Sequence, residues 1–196
     1  MKGNGEQAYY HTDHHWTTDA AYRVFQSTKE TADWVDAAYE KGVVTNTFRG
    51  SLASASGFPV NAPDAITVYT LKDGEKEIPY TVNYVNEGRT TPSVYDYEKL
   101  DSENPYELFF GGNFAQLTIE TGANTDRTLL LLKDSYANCF IPFLLRSYAR
   151  IIVVDPRYYT DDLSTLFLQY RFSDVMFLYN ASTLSKDKNL KMVLSE

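Results

Sequence analysis

Residues 129–135 have the sequence LLLLKDS, and this stretch decides the predicted fold. Four leucines in a row, followed at once by polar residues, are typical of a short strand that is buried on both faces of a sheet. Two later apolar runs, residues 151–154 and 175–178, have the same character. The segments between these runs, 136–150 and 161–171, have helical length. Strand, helix, strand, helix, strand is the pattern of a parallel sheet with right-handed crossovers, so we predict an α/β fold.

The remainder of the chain divides into one long predicted helix and a region of strands and turns. Thr17 or Thr18 can cap a helix over residues 18–41, and Gly42 marks its end. Pro142 predicts a kink or a late start in the first crossover helix.

We expect one domain over residues 1–196, with a β-rich insertion at about 58–122. Alternating residues and turn signals predict the elements of this insertion. They are hairpin strands at 65–71 and 78–85 around the turn Asp73-Gly74, further strands at 106–110 and 114–121 around Gly111-Gly112-Asn113, and a loop at 86–105.

Composition narrows the classes of partner. The formal net charge of -8 argues against nucleic acid and anionic membranes, because phosphate binding needs a basic surface. No apolar stretch reaches the roughly 18 to 20 residues of a membrane-spanning helix. The single cysteine, Cys139, excludes an internal disulfide and a cysteine zinc site, and its apolar neighbours predict a packing role.

Polar residues follow each of the three predicted parallel strands. These segments are Lys133-Asp134-Ser135, Asp155-Pro156-Arg157 and Tyr179-Asn180. The carboxyl ends of parallel strands meet at one edge of a sheet, where ligands bind. A hydroxyl, a cation and an amide are therefore expected together, a set that acyl transfer can use, although Asp134 or Ser135 can also act only as a helix cap.

A serine nucleophile needs a base and a carboxylate that orients the base. The three histidines, His11, His14 and His15, all lie in the segment HTDHHW at 11–16. In an extended chain, residues two apart share a face, so Asp13 and His15 lie together and His14 points away. This spacing favours His15 as the base for Ser135, with His11 as a neighbour.

Two other interpretations of the histidine segment remain open. His11, Asp13 and His15 can supply three ligands to zinc or manganese. The same residues can also form a polar cap before the first helix.

Several motifs carry a resemblance to a known family. The sequence Thr12-Asp13-His14-His15-Trp16, preceded by Tyr9-Tyr10, resembles the signature of the DHHW family. This family belongs to a wider group of SGNH-hydrolase-like proteins that includes alginate O-acetyltransferases. Residues 133–138, KDSYAN, resemble the family's nucleophile motif, and residues 155–159, DPRYY, its following segment. The resemblance spans nearly the whole chain, from Tyr9 to Asn180.

The resemblance implies a flavodoxin-like, SGNH-type parallel sheet with helices on both faces. It implies a catalytic triad of Ser135, His15 and Asp13. For the oxyanion hole, Asn180 is the first candidate by position, and Asn113 in the Gly-Gly-Asn segment is the second.

The predicted substrate-binding residues are Arg157, Trp16 and Tyr136. Arg157 can grip an anionic part of a substrate as a charged fork, or it can pair with Asp155.

The implied function is O-acetyl transfer to, or O-deacetylation of, a carbohydrate outside the cytoplasm, through an acyl-enzyme. We therefore expect a polysaccharide and an acetyl donor as partners, and no cofactor or metal. Relatives of this kind have a longer region before the aspartate motif, with an export or anchoring segment, so the family's N-terminal part is expected to be missing here. The alternative is a non-catalytic carbohydrate-binding or cell-surface protein that retains the fold.

Overall fold

The computed structural model describes residues 7–57, 62–73, 76–77 and 79–194. In chain order the strands are β1 (Ala38–Phe48), β2 (Asp64–Asp73), β3 (Lys76–Glu77), β4 (Tyr80–Tyr84), β5 (Arg89–Thr91), β6 (Gln116–Thr121), β7 (Thr128–Lys133), β8 (Arg150–Val154) and β9 (Asp174–Leu178). The α-helices are α1 (Thr18–Thr28), α2 (Ser51–Ser56), α3 (Ser164–Gln169), α4 (Ala181–Lys186) and α5 (Asn189–Val193). Between them lie short 3₁₀ helices at Tyr97–Asp101, Pro105–Leu108, Ser135–Ala137 and Ile141–Leu144.

The strand β7 is the centre of the larger sheet. Its four leucines are fully buried, and β7 pairs in parallel with both β8 and β9. Leu131, for example, lies opposite Val153 on one side and Met176 on the other. The predicted parallel arrangement of these three strands is confirmed. The expected burial of both faces holds for β7 and β8. It is wrong for β9, which lies at the edge of the sheet and leaves Val175 and Phe177 47% and 49% exposed.

The larger sheet as a whole is mixed, and the expectation of a parallel sheet throughout is wrong in this respect. Its order is β5-β4-β6-β8-β7-β9, and β6, β4 and β5 are all antiparallel to their neighbours. Part of the region predicted as an insertion therefore extends the parallel strands. The buried positions Leu117 and Ile119 of β6 continue the apolar surface of β8.

The predicted helix over residues 18–41 is wrong in its second half. The helix α1 ends at Thr28, and β1 begins at Ala38. Gly42, predicted as a helix stop, lies within β1 opposite Val68. Tertiary pairing with β2 overrides the helical spacing here, and the β-branched residues that follow Gly42 suit a strand.

The smaller sheet has the order β1-β2-β3 among the described residues. The predicted hairpin is therefore only partly correct, since the partner of β2 across the turn is the short β3, whereas β4 belongs to the larger sheet. Gly74 and Ile78 of the predicted hairpin lie outside the described residues. The expected strand at 106–110 is instead the 3₁₀ helix Pro105–Leu108, and the expected loop at 86–105 contains β5.

The two predicted crossover helices differ in outcome. Residues 161–171 contain α3, which is shorter than predicted, whereas residues 136–150 form two 3₁₀ helices. Pro142 lies in the second of these and has no N–H for an α-helical hydrogen bond. Phe140, Phe143 and Leu144 are all buried, so side-chain packing fixes this segment in place of regular helix.

Apolar clusters cover both faces of the larger sheet. On one face Leu129 and Leu131 join a large cluster with residues of α1 and the smaller sheet. On the other, Leu130 and Leu132 pack with Leu166 of α3. Within the described ranges, no helix combines the length and the apolar character needed to span a membrane.

A leucine pair tests the central role of β7. Leu131→Ala removes a fully buried side chain, and we expect it to lower the free energy of unfolding by roughly 2–5 kcal/mol in urea titrations. Leu168→Ala is the matched control, because Leu168 is 87% exposed, and should change that free energy by less than about 0.5 kcal/mol. Equal effects of the two variants would contradict the assignment of β7 as the core strand.

Candidate active site

Ser135 lies two residues after the end of β7, at the first position of a 3₁₀ helix. The cap of this helix is Asp134, whose Oδ1 accepts a hydrogen bond from the backbone N–H of Tyr136 at 2.9 Å. Its Oδ2 accepts from the backbone N–H of Asn180 at 3.0 Å, which ties β7 to the end of β9. Because Asp134 fills the cap, the Ser135 hydroxyl is free for another partner.

That partner is His15, which lies 120 residues earlier in the chain. The Ser135 Oγ and the His15 Nε2 are 2.8 Å apart. The imidazole is 5% exposed, and Ser135 is half-buried. The sequence-predicted serine and base therefore lie within hydrogen-bond distance.

The third predicted residue, Asp13, contacts the other ring nitrogen. Its Oδ1 lies 2.5 Å from His15 Nδ1 and also accepts the His15 backbone N–H at 2.9 Å. A carboxylate only accepts, so Nδ1 carries the proton and the neutral ring presents an unprotonated Nε2 to Ser135. The serine hydroxyl is then the donor.

A second segment, absent from the sequence prediction, holds Asp13. The backbone N–H and the hydroxyl of Ser51 both donate to Asp13 Oδ2, at 2.8 and 2.9 Å. Gly50 allows this approach, since a Cβ at that position would lie 2.2 Å from Asp13 Cβ. A glycine-serine pair is common in loops, and only the folded contact gives it a role.

The histidine segment is also anchored at its start. Asp64, the first residue of β2, accepts hydrogen bonds from the backbone N–H groups of His11 and Thr12 and from the Thr12 hydroxyl, at 2.7 to 3.0 Å. Asp64 is 5% exposed. The smaller sheet thus fixes the position of the residues immediately before Asp13.

Tyr106 lies flat against the His15 ring, with centroids 3.7 Å apart and an interplanar angle of 9°. Tyr106 is buried, and its hydroxyl lies 3.5 Å from the Ser135 carbonyl oxygen. The stack restricts rotation of the imidazole. Tyr106 lies in a segment that its sequence predicts as a strand, and no local pattern predicts its contact with His15.

Burial and charge set the protonation of the pair. Burial alone would raise the pKa of Asp13, but the hydrogen bond and charge of His15 and the N–H groups of Ser51 and His15 outweigh it and hold that pKa well below the usual range. For His15, burial is the largest effect and lowers the pKa from its ordinary 6.5, with Asp13 opposing it only in part. The site therefore favours a neutral imidazole beside a carboxylate.

The two candidate oxyanion residues have different surroundings. Asn180 caps α4 through Oδ1, which accepts from the Ser182 backbone N–H at 2.7 Å. The Oδ1 of Asn113 accepts from Lys133 Nζ at 3.1 Å and from Asn138 Nδ2 at 3.2 Å. Asn113 is half-buried, and none of the hydrogen bonds of the described residues uses its Nδ2.

The predicted substrate-binding residues make internal contacts. Arg157 donates through Nε and Nη2 to the two carboxylate oxygens of Asp155, at 2.8 and 2.6 Å, which favours the paired interpretation. Trp16 donates from Nε1 to the Tyr136 carbonyl at 2.8 Å. The Tyr136 hydroxyl in turn donates to the carbonyl of His14, so two hydrogen bonds join Tyr136 to the histidine segment.

Possible metal ligands group differently from the sequence prediction. His11 is exposed and lies near Asp64, whereas Asp13, His14 and His15 present ligand atoms within 4.8 Å of one another. Both ring nitrogens of His15 already have partners within the protein. A metal ion bound to His15 at this group would have to displace either Asp13 from Nδ1 or Ser135 from Nε2.

The contact between Gly50 and Asp13 gives a structural prediction. Gly50→Ala should displace Asp13 and remove or shift the downfield proton NMR signal of the His15 Nδ1–H, because the added Cβ would overlap the carboxylate. Gly42→Ala is the matched control, since nothing lies within 4 Å of a Cβ there, and should leave the signal in place. An unchanged signal in Gly50→Ala would show that Asp13 does not depend on this close approach.

Comparisons with solved structures support the fold. A DHHW family protein from Eubacterium siraeum has a TM-score of 0.79 and 25% sequence identity, over 96% of this chain and 63% of that one. Bacillus cereus PatB1 with a sulfonyl adduct has a TM-score of 0.72 and 24% identity, over 94% of this chain and 64% of that one. A second PatB1 structure has a TM-score of 0.68 and 23% identity, over 93% and 65%. The PatB1 likenesses show a shared fold.

The chain spans less than two-thirds of the length of each of these three relatives. Among curated protein sequences, none matches it. Residues 2–154 match the sequence profile of the family described as DHHW protein. The resemblance predicted from the motifs is confirmed at this level: the chain belongs to the DHHW family.

Proposed function

We propose that this protein catalyses acyl transfer through Ser135, moving an O-acetyl group to or from a carbohydrate by way of an acyl-enzyme. The observation that carries the proposal is the continuous hydrogen-bonded line from Asp13 through His15 to Ser135, at 2.5 and 2.8 Å. A nucleophile, a base and a group that orients the base are the minimum that serine-dependent acyl transfer requires. The wider relation to SGNH hydrolases is part of the same proposal.

In the first step, the Ser135 hydroxyl passes its proton to His15 Nε2 as Oγ bonds to the ester carbonyl carbon. The carbonyl oxygen takes up the electron pair and becomes a tetrahedral oxyanion. When this intermediate collapses, the ester C–O bond breaks and His15 returns the proton to the departing alcohol oxygen. A sugar hydroxyl or water then attacks the acyl carbon, with His15 again as base. The bond between that carbon and Ser135 Oγ breaks, and His15 returns the proton to Oγ.

The oxyanion needs hydrogen-bond donors that are already in place. We assign this role to the Ser135 backbone N–H and to Nδ2 of Asn113. We place Asn113 before Asn180 because none of the hydrogen bonds of the described residues uses the Asn113 Nδ2, whereas the Asn180 side chain also interacts with Tyr136. Each such donor contributes roughly 3–4 kcal/mol to transition-state stabilisation in enzymes of this kind.

Aromatic surface near the site supports a carbohydrate as substrate. Tyr9 is 56% exposed, and its backbone forms an isolated β-bridge with that of Trp16. Tyr136 is half-buried and follows Ser135 in the chain. Tyrosine rings offer a flat apolar face with a polar edge, which suits a sugar ring. The cell-surface location that the family resemblance implies, and the choice between transferase and esterase, belong to this proposal as well.

A serine-directed reagent tests the nucleophile. The related Bacillus cereus protein is described with a sulfonyl adduct, and sulfonyl fluorides react with activated hydroxyl groups. We expect peptide mass spectrometry to find one sulfonyl group per chain, on Ser135. The rate of labelling should fall at least 10³-fold in His15→Ala, because the base is removed. Turnover of p-nitrophenyl acetate should fall in parallel.

The matched control for Ser135→Ala is Ser27→Ala. Ser27 is exposed on α1, and its hydroxyl donates to the Val24 carbonyl of the same helix, so labelling and turnover should persist in Ser27→Ala and be lost in Ser135→Ala. Folded wild-type protein that neither reacts nor turns over the ester would overturn the catalytic proposal and favour a non-catalytic carbohydrate-binding protein.

The pH dependence of kcat/KM provides a separate prediction. The base must be neutral, and the pKa of His15 is lowered, so the neutral form persists to lower pH than for an ordinary histidine. We expect kcat/KM to rise with pH through a midpoint below 6.5 and to be flat above about pH 7. A midpoint clearly above 6.5 would contradict the dominance of burial at this ring.

A further inference from the structure

A buried lysine lies behind the candidate oxyanion residue. Lys133 is the last residue of β7, two positions before Ser135, and is 1% exposed. Its ammonium group donates to Asn138 Oδ1 at 2.9 Å, to Asn113 Oδ1 at 3.1 Å and to Asp155 Oδ2 at 3.4 Å. An ammonium has three N–H donors and no acceptor, so these three contacts use all of its hydrogen-bonding capacity.

The contact determines which way the Asn113 amide faces. Since Lys133 Nζ can only donate, the Asn113 oxygen must point towards it, and Asn138 Nδ2 donates to the same oxygen at 3.2 Å. The amide nitrogen of Asn113 then points away from Lys133. A cation on the carbonyl oxygen also polarises the amide and strengthens its N–H groups as donors.

The lysine is itself held in place by a buried ionic group. Asp155 is 0% exposed and accepts from Lys133 as well as from both Nε and Nη2 of Arg157. Burial lowers the pKa of Lys133, and the charge of Asp155 opposes this change. A charged side chain is costly to bury, and a role at a site is one reason for a fold to retain it.

We propose that Lys133 is a positioning residue, which fixes and polarises the Asn113 amide so that its N–H donates to the oxyanion formed at Ser135. The inference rests on the proposed function and names the group on which the oxyanion donor depends. Lys133 makes no contact with the reacting atoms in this scheme. It acts through Asn113, with Asp155 and Arg157 holding its ammonium group.

A double-mutant cycle tests this coupling, with p-nitrophenyl acetate as substrate. Asn113→Ala should lower kcat by about 10²–10³-fold with little change in KM, as removal of one oxyanion donor does. Lys133→Met should lower kcat to a similar extent, and the double variant should be no more than about threefold slower than Asn113→Ala. The pH midpoint of kcat/KM should stay the same in all three, because His15 is not touched.

Two further variants complete the design. Lys72→Met is the matched control, since Lys72 is partly exposed in the smaller sheet and pairs with Glu40, and its kcat should match the wild type. Lys133→Gln retains an N–H donor for the Asn113 oxygen, and we expect its kcat to exceed that of Lys133→Met at least tenfold. If Lys133→Met does not fold by circular dichroism, the cycle is run with Lys133→Gln, which should lose kcat and show the same non-additivity with Asn113→Ala.

The outcomes separate the two proposals. Wild-type protein without turnover or sulfonyl labelling would overturn both. An active wild type in which the losses from Lys133 and Asn113 add, or in which Lys133→Met keeps the wild-type kcat, would overturn the positioning role alone. A changed pH midpoint in Lys133→Met would also count against it, because that would indicate a general disturbance of the site.

Discussion

The candidate site depends on one hydrogen bond between distant parts of the chain, from the Ser135 hydroxyl to His15 Nε2. Neither segment can hold this distance alone. The serine is fixed by the buried end of β7, whereas the histidine is fixed by Asp64 at the start of β2 and by Gly50 and Ser51 on Asp13. The smaller sheet therefore acts as the support of the base, and the larger sheet as the support of the nucleophile.

Local sequence predicted the parts of the fold in which periodicity and burial agree. The four leucines of β7 and the apolar run of β8 are buried on both faces of the sheet, as an apolar run of strand length predicts. The run of β9 has the same character in sequence, but its place at the sheet edge leaves Val175 and Phe177 exposed, and sequence alone does not show which strand is the edge. The helix prediction for residues 18–41 is wrong in its second half, because these residues have helical spacing but pair as a strand with β2. Local sequence does not show that this partner strand is present. The helix prediction for residues 136–150 is wrong because packing of the buried Phe140 and Phe143 fixes this segment as short 3₁₀ helices.

Among the residues of the candidate site, some are also predicted by local sequence, whereas others depend on contacts between distant segments. Asp13 and His15 were found from a spacing of two, and Ser135 from its place at the end of a strand, since both signals are local. Gly50, with Ser51, supports Asp13 across 38 residues, and Tyr106 stacks on His15 from yet another element. Contacts of this type have no sequence period, so sequence reasoning has nothing from which to predict them.

Two buried side chains of opposite charge, Asp13 and Lys133, belong to the candidate site, and the pair fits the proposed acyl transfer. The carboxylate of Asp13 contacts the imidazole that gains a proton in the proposed mechanism, where it would stabilise the positive charge. The ammonium group of Lys133 donates to the oxygen of Asn113, the amide that we propose as an oxyanion donor. Each buried ion has its hydrogen bonds supplied by the fold, so neither has to reorganise as charge moves. Binding of a neutral sugar alone needs no such pair of opposite charges, so the pair adds to the support that the hydrogen bond between Ser135 and His15 gives to the proposed catalysis.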